Sequence, residues 1–258
     1  MVGLELLAVA AGGVAAGLVG SLMGLGGGLI AVPFLNLLLG VPMHQAAAAG
    51  LISTLAVSCG AAGRYLRRGG LIDVFQALEI EVAAAIGGLL GGFLVGFLGG
   101  SLLQVLFAGV LVYSGLQILR SAVRPAVASG AAATTPWRRR LTWSLCLLAG
   151  ILSGLLGIGG GLVVVPVLYL VLGLPFKSAT ATSNFMMGLT AVPALSGFIA
   201  RGQLELGLAG PLAAGVLAGA TLGAWLMPRI QTRWLQLGFS LLLLATAVEM
   251  ARRGVAGW

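Results

Sequence analysis

The sequence predicts an all-α polytopic membrane protein built from two homologous repeats. The chain of 258 residues is 59% hydrophobic and only 8% charged, with a mean hydropathy of +1.11; a soluble domain carries about 25% charged residues. Its apolar runs are too many for one buried core, so lipid must be the solvent for most side chains. The third observation is a repeat. GLVGSLMGLGGGLIAVPFLNLLLGVP, residues 17–42, returns as GILSGLLGIGGGLVVVPVLYLVLGLP, residues 150–175. Without a gap, Gly17 falls on Gly150, Gly24 on Gly157, Gly26 to Gly28 on Gly159 to Gly161, Pro33 on Pro166 and Pro42 on Pro175. Duplicated halves with glycine and proline inside apolar runs point to a transporter whose broken helices meet at a central site. A β-barrel would need alternating segments of about ten residues, and none is present.

Apolar segments run over 4–25, 29–39, 45–63, 74–98 and 101–119, then over 141–158, 161–173, 178–199, 206–227 and 232–251. A helical crossing takes about 20 residues, so each repeat holds about four full transmembrane helices and one short broken segment, giving 8–10 spans in all. The first segment has no basic n-region before it (MVGLELLAVAAGG) and reads as a span rather than a cleavable leader. The short segments, 29–39 and 161–173, follow the triple glycine directly and contain Pro33 or Pro166. Non-helical backbone is expected there, which a membrane tolerates only where protein or a water-filled cavity satisfies it. Similarity continues downstream: Arg68-Gly69 aligns with Arg201-Gly202 and, after a one-residue shift, Gln104 with Gln236 and Arg120 with Arg252.

Residues 1–120 and 141–258 are therefore the two repeats, joined by a cytoplasmic linker over 121–140. The linker is small, polar and Pro/Gly-containing, and ends in the interfacial anchor Trp137-Arg138-Arg139-Arg140. Trp143, Trp234 and Trp258 mark other span boundaries. Cys59 and Cys146 lie inside apolar runs and read as small packing residues.

Basic residues set orientation. Arg64, Arg67 and Arg68 fill one first-half loop, and Arg120, Arg124 and Arg138 to Arg140 another, so both loops are cytoplasmic. In the second half, Lys177, Arg229 and Arg233 lie on one face and Arg201, Arg252 and Arg253 on the other. If the short segments cross, the halves are inverted 5+5; if they re-enter, the halves are parallel with four spans each. Alternating access follows most directly from inverted repeats, which favours 5+5, but the charges do not decide it.

Glycine lets backbone approach a ligand without a Cβ, and consecutive unpaired N–H groups before a helix form an anion-binding nest. Gly26, Gly27, Gly28, Gly159, Gly160 and Gly161 are accordingly candidate substrate contacts, close helix packing being the alternative. The polar helix start Lys177-Ser178-Ala179-Thr180-Ala181-Thr182-Ser183-Asn184 makes Thr182, Ser183 and Asn184 the side-chain candidates, against a capping role. Ser53 and Thr54 are their weaker first-half counterparts. His44 and Lys177 occupy equivalent positions where a cation could steer an anion inward or simply snorkel to headgroups. Glu79 and Glu81, in the fourth segment, are candidates for proton coupling, with an interfacial location as the alternative; Glu249 reads as an end-of-helix charge.

Several classes are excluded. The net charge of +8 sits in short loops, so nucleic acid is not a partner. Gly173 to Ser178 lacks phosphate-loop spacing, and no strand precedes the triple glycine as a dinucleotide fingerprint requires. An intramembrane hydrolase needs a nucleophile with a base partner; the only histidine, His44, has no repeat counterpart and no Gly-x-Ser-Gly is present, so no enzyme activity is expected. No metal site or cofactor is expected, and any transport runs on gradients or downhill.

The paired GxGGGxxxxP segments, the downstream Ala181-Thr182-Ser183-Asn184 and the small size resemble the sulfite exporter TauE/SafE family, also called the 4-toluene sulfonate uptake permease family. The resemblance covers almost the whole chain. It implies a multi-pass permease or exporter of the bacterial inner membrane that moves sulfite, sulfoacetate or a related organosulfonate anion by secondary transport, with the proton as a candidate coupling ion. Family members often carry a Thr-Ser pair after the first glycine motif too; Ala49 and Gly50 stand there in this chain, so an asymmetric site is implied. The alternatives are the same fold carrying another small anion, a metal cation or a neutral sulfur compound, or a non-transporting scaffold; a homo-oligomer is compatible with each.

Overall fold

The computed structural model describes residues 2–67, 74–123, 136–168, 172, 174–227 and 232–256. Among these, every regular element is helical: α1 (Val2–Met23), α2 (Gly28–Pro33) with a π-helical turn (Phe34–Leu38), α3 (Met43–Arg67), α4 (Val74–Leu94) with a 3-10 turn (Val95–Phe97), α5 (Gly100–Val123), α6 (Pro136–Leu156), α7 (Gly161–Pro166), α8 (Phe176–Ala200), α9 (Leu206–Leu226) and α10 (Thr232–Ala256). Six of them, α1, α4, α5, α6, α8 and α9, are long and apolar enough to cross a membrane. The remaining two long helices, α3 and α10, have 25 residues each but carry more small, polar or basic residues. The chain is a multi-pass membrane protein.

One expectation needs correction. The short segments are helical over 28–38 and 161–168, and the break lies in the glycine turns before them. Gly28 and Gly161 open α2 and α7; Pro33 and Pro166 then close them, because proline cannot donate to the carbonyl four residues back. The ladder widens instead into π geometry at Phe34–Leu38 and at residues 167–168. Asn36 holds the first of these ends: its Nδ2 donates to the Val41 carbonyl at 2.9 Å and its Oδ1 accepts from Gln104 Nε2 at 2.9 Å. Helix enters both ends of the 121–140 stretch. The α5 helix continues to Val123, and α6 starts at Pro136, where the missing N–H costs nothing; 124–135 lie outside the described residues.

The principal helix pairs join the halves. The first helix of each repeat packs on the fourth of the other, α1 on α9 and α6 on α4; α3 packs on α8 and α9, α8 on α3 and α4, and α5 on α10. Glycines make these seams. A Cβ at Gly13 or Gly17 would strike the α9 backbone at Leu212 or Val216, and one at Gly215 or Gly219 the Ala10 or Val14 carbonyl. The α4–α6 seam is built alike, with Gly87 and Gly91 on Leu147 and Ile151, and Gly150 and Gly154 on Ala84 and Gly88. Contact numbers rise together along both seams, so α1 runs parallel to α9 and α4 to α6. By contrast, Gly115 meets Ser240 and Leu244 while Gly254 meets Ser101 and Val105, so α5 and α10 are antiparallel. In lipid, dispersion and Cα–H···O contacts between close backbones replace the hydrophobic effect as the cohesive force. Large apolar side chains such as Leu89, Leu90 and Phe93 on α4 and Leu241 and Leu242 on α10 point outward.

A side chain at a seam glycine is expected to separate the helices. Gly215→Leu should lower the melting temperature in detergent, with an overpacking cost of about 1–3 kcal/mol. Gly207→Leu in the same helix, where nothing lies within 4 Å, should leave it unchanged. Equal melting temperatures for the two variants would contradict the seam's role.

Candidate functional site

The two glycine turns meet where α3 crosses α8. In the first, Gly24 and Gly26 have φ of 70° and 76°; in the second, Gly157 and Gly159 have φ of 74° and 80°. This left-handed region is one that residues with a Cβ rarely adopt. The turns then differ. Gly27 is right-handed at φ −71°, whereas its equivalent Gly160 is left-handed at φ 71°. The turns also interlock: a Cβ at Gly28 would land on the Gly157 carbonyl oxygen, and a Cβ at Gly161 on that of Gly24. These two contacts exchange into one another under the repeat alignment. Close backbone packing is thus an observed use of Gly28 and Gly161. No backbone acceptor within the turns takes up the amides of Gly26 to Gly28 or of Gly159 to Gly161.

Side chains from α3 and α8 cover the turns. Thr54 and Met187, at equivalent repeat positions, each touch both. From where a Cβ would stand on Gly26, Thr54 Oγ1 is 3.1 Å away and Met187 Sδ 3.2 Å. Thr54 also faces Gly159, and Met187 faces Gly161. The Ser53 and Thr54 hydroxyls donate back along α3 to Ala49 and Gly50, each at 3.0 Å, leaving their lone pairs to accept.

On α8 the capping role is visible. Ser183 Oγ donates to the Gly24 carbonyl at 3.0 Å, and Asn184 Nδ2 donates to the Ser21 carbonyl at 2.9 Å. Both satisfy acceptors at the C-terminal end of α1, which has no further helix to bond. The second half therefore caps the break of the first. The reverse does not occur, because Gly50 and Leu51 stand at the equivalent positions and Gly50 packs its backbone on the Gly157 carbonyl.

Four polar atoms around the turns are buried without a hydrogen-bond partner among the described residues: Ser153 Oγ, Thr180 Oγ1, Thr182 Oγ1 and Asn184 Oδ1. All lie on α6 or α8. Ser153 Oγ is 3.8 Å from the Cβ direction of Gly160, and Thr180 packs on Gly24. Leaving such groups unbonded costs about 1–3 kcal/mol each; Ser153 lies beside the second turn and Thr180 and Asn184 beside the first, so unspent hydrogen-bonding capacity borders both turns. Sequence reasoning named Thr182 and Asn184 but missed Ser153, Thr180 and Met187. Ser153 was hidden because its repeat equivalent is Gly20, and Met187 because its equivalent is Thr54.

The remaining candidates are elsewhere. His44 lies in the first turn of α3, where Nε2 is 3.0 Å from the Leu98 carbonyl. Ala47, three residues further along, packs its backbone on Gly157, which puts His44 about one helical turn from the second glycine turn. Lys177 is in the first turn of α8, and its side chain lies outside the described residues. The two glutamates separate: Glu79 pairs with Arg139 of α6, whereas Glu81 is buried and accepts a hydrogen bond from Thr190 of α8. Among the described residues no three His, Cys, Asp or Glu side chains cluster as metal ligands would.

Comparison with known proteins follows this geometry. The profile of the family described as Sulfite exporter TauE/SafE matches residues 9–250. The chain is 25% identical over 271 aligned positions to the probable membrane transporter protein YunE of Bacillus subtilis (strain 168), covering 94% of this chain and 96% of that one. It is 29% identical to the probable membrane transporter protein YdhB of the same organism, over 83% and 88% of the two chains. A probable membrane transporter protein of Xylella fastidiosa (strain Temecula1 / ATCC 700964) is 27% identical over 93% and 94%. No solved structure matches.

Removing the Ser183 hydroxyl should leave the Gly24 carbonyl unbonded. Ser183→Ala is expected to cost about 1–3 kcal/mol of stability, read as a lower melting temperature in detergent. Thr221→Ala, whose exposed hydroxyl bonds only within its own helix, should change stability by less than about 0.5 kcal/mol.

Proposed function

Because the chain belongs to the Sulfite exporter TauE/SafE family, we propose that this membrane transporter moves sulfite, sulfoacetate or a related organosulfonate anion across the bacterial inner membrane. The observation that carries the reading is the set of buried, unpartnered hydroxyls on Ser153, Thr180 and Thr182, with Ser153 beside the second glycine turn and Thr180 beside the first. A tetrahedral sulfur oxyanion presents several acceptor oxygens. Hydroxyls from α6 and α8 donate to those oxygens, and the amides of Gly159 to Gly161 add N–H donors in a nest. The first turn contributes Gly26 to Gly28 and, through Ser53 and Thr54, a weaker polar wall. His44 and Lys177 stand at the starts of α3 and α8, where a cation attracts anions toward the protein.

Alternating access in this reading comes from inverted 5+5 repeats. Two features support inversion. The equivalent helices α5 and α10 run antiparallel, and each half's first helix packs on the other's fourth. The smooth glycine seams between halves, free of interlocked large side chains, allow one bundle to shift against the other. The contacts of Gly28 with Gly157 and of Gly161 with Gly24 are the pivot of such a shift in this reading.

Purified protein in proteoliposomes should take up labelled sulfite or sulfoacetate. In Thr182→Ala, loss of one hydrogen bond to a charged ligand, worth about 1.5–3 kcal/mol, should raise the half-saturating concentration about tenfold or more with the melting temperature retained. A thermal-shift screen against sulfur oxyanions, carboxylates and divalent metals checks the ligand class. Stabilisation by a metal or carboxylate alone would replace the sulfur-anion reading.

A further inference from the structure

Glu81 is the buried acid among the described residues, 4% exposed, and it lies within the apolar stretch Ala77–Phe97. One carboxylate oxygen accepts the Thr190 hydroxyl of α8. The other is buried and has no hydrogen-bond partner. Among the described side chains on the elements packed against α4, none neutralises it. On α6, Arg139 is taken by Glu79, Arg140 is exposed, and Cys146 is buried and uncharged as a free thiol. On α8 the single ionisable residue, Lys177, stands in the first turn, more than three turns from Thr190. Arg201, just after α8, is clasped by the Gly92, Phe93 and Gly197 carbonyls at the far end of α4.

We infer that Glu81 is a proton-binding site, protonated while the α4–α8 seam is closed and ionised when water enters it, and that this couples anion movement to the proton gradient. The coupling role rests on the transport reading; the proton site rests on the geometry alone. A carboxylate removed from water without a counter-charge is unfavourable, so the closed seam selects the acid form. The reaction is uptake of one H⁺ by one carboxylate oxygen and its release by the same atom. Thr190 ties this event to the boundary between halves, since α4 belongs to the first and α8 to the second. The seam beside it is glycine-lined, with Gly88 on Thr190, Gly92 on Ala194 and Gly197 on Gly92, so it opens without repacking bulky groups. Glu79, paired and near the helix start, has no such role. The repeat equivalent of Glu81 is Ala214, which makes the site single and predicts one proton per cycle.

The test pairs two readouts on the purified full chain. By infrared difference spectroscopy in detergent, a protonated-carboxyl stretch should disappear as pH rises, be absent in Glu81→Gln and shift in frequency in Thr190→Val. In proteoliposomes, an imposed pH gradient should accelerate sulfite or sulfoacetate flux several-fold in the wild type and leave Glu81→Gln unchanged, while exchange without a gradient stays within about twofold. An undiminished titrating band in Glu81→Gln, or gradient-driven flux equal to wild type, overturns the inference. If neither protein moves either anion, the transport reading fails instead, and the infrared band alone decides the proton site.

Discussion

The rest of the structure depends on two chain reversals sharing one small volume. Gly28 lies against the Gly157 carbonyl, and Gly161 against that of Gly24, so neither turn can be built without the other. This is a backbone-on-backbone contact, and its strength comes from the absence of side chains. In a membrane, where lipid tails are as apolar as leucine, such proximity supplies cohesion that side-chain burial cannot. It also fixes where α2 and α7 begin, hence where Pro33 and Pro166 fall and where the helices widen into π geometry. The seams of α1 on α9 and α4 on α6 extend the same principle outward from the centre.

Several departures from repeat symmetry at this centre place the polar side chain on the second half, Thr54 opposite Met187 being the exception. Ser183 and Asn184 cap the end of α1, but their equivalents are Gly50 and Leu51. Gly160 adopts the left-handed conformation where Gly27 does not. Ser153 adds a hydroxyl where Gly20 must stay bare against the Gly26 carbonyl. Capping by protein is thereby concentrated on the first turn, while unpartnered hydroxyls stand at both, Thr180 on Gly24 and Ser153 near Gly160. A duplicated scaffold has kept the backbone contact that both halves need and specialised the polar groups that only one site needs.

What was legible in the sequence follows from this division. Eight long helices and two short ones follow from segment length and hydropathy, and the meeting of the breaks from the exact recurrence of glycine and proline. Capping by Ser183 and Asn184 was open as an alternative, but its partner in the other half was not readable, because nothing local links Ser183 to Gly24. The helicity of 29–39 was missed because Pro33 reads as a breaker, while its real effect is to change the hydrogen-bond register after one helical turn and a half. Ser153, Thr180 and Met187 escaped notice for a different reason: each is ordinary at its own position and gains meaning only from what the fold places opposite. The distinction between Glu79 and Glu81 is similar. Two residues apart on a helix, they face opposite sides, one toward Arg139 and one toward Thr190.

Three basic residues of the second half have local partners in the same contacts. Arg201 departs from the first-half charge pattern, yet its guanidinium is committed to carbonyls at the end of α4 and α8 and lies 5.8 Å from the Phe97 ring centroid. It acts as a clasp for a helix terminus, so its placement answers to folding as well as to topology. Arg252 and Arg253 both engage Glu249. With those three positions accounted for locally, Lys177, Arg229 and Arg233 remain as the second half's topological signal. An inverted arrangement places them on the same side as Arg64, Arg67 and the linker arginines, in keeping with the positive-inside rule and with the antiparallel course of α5 and α10.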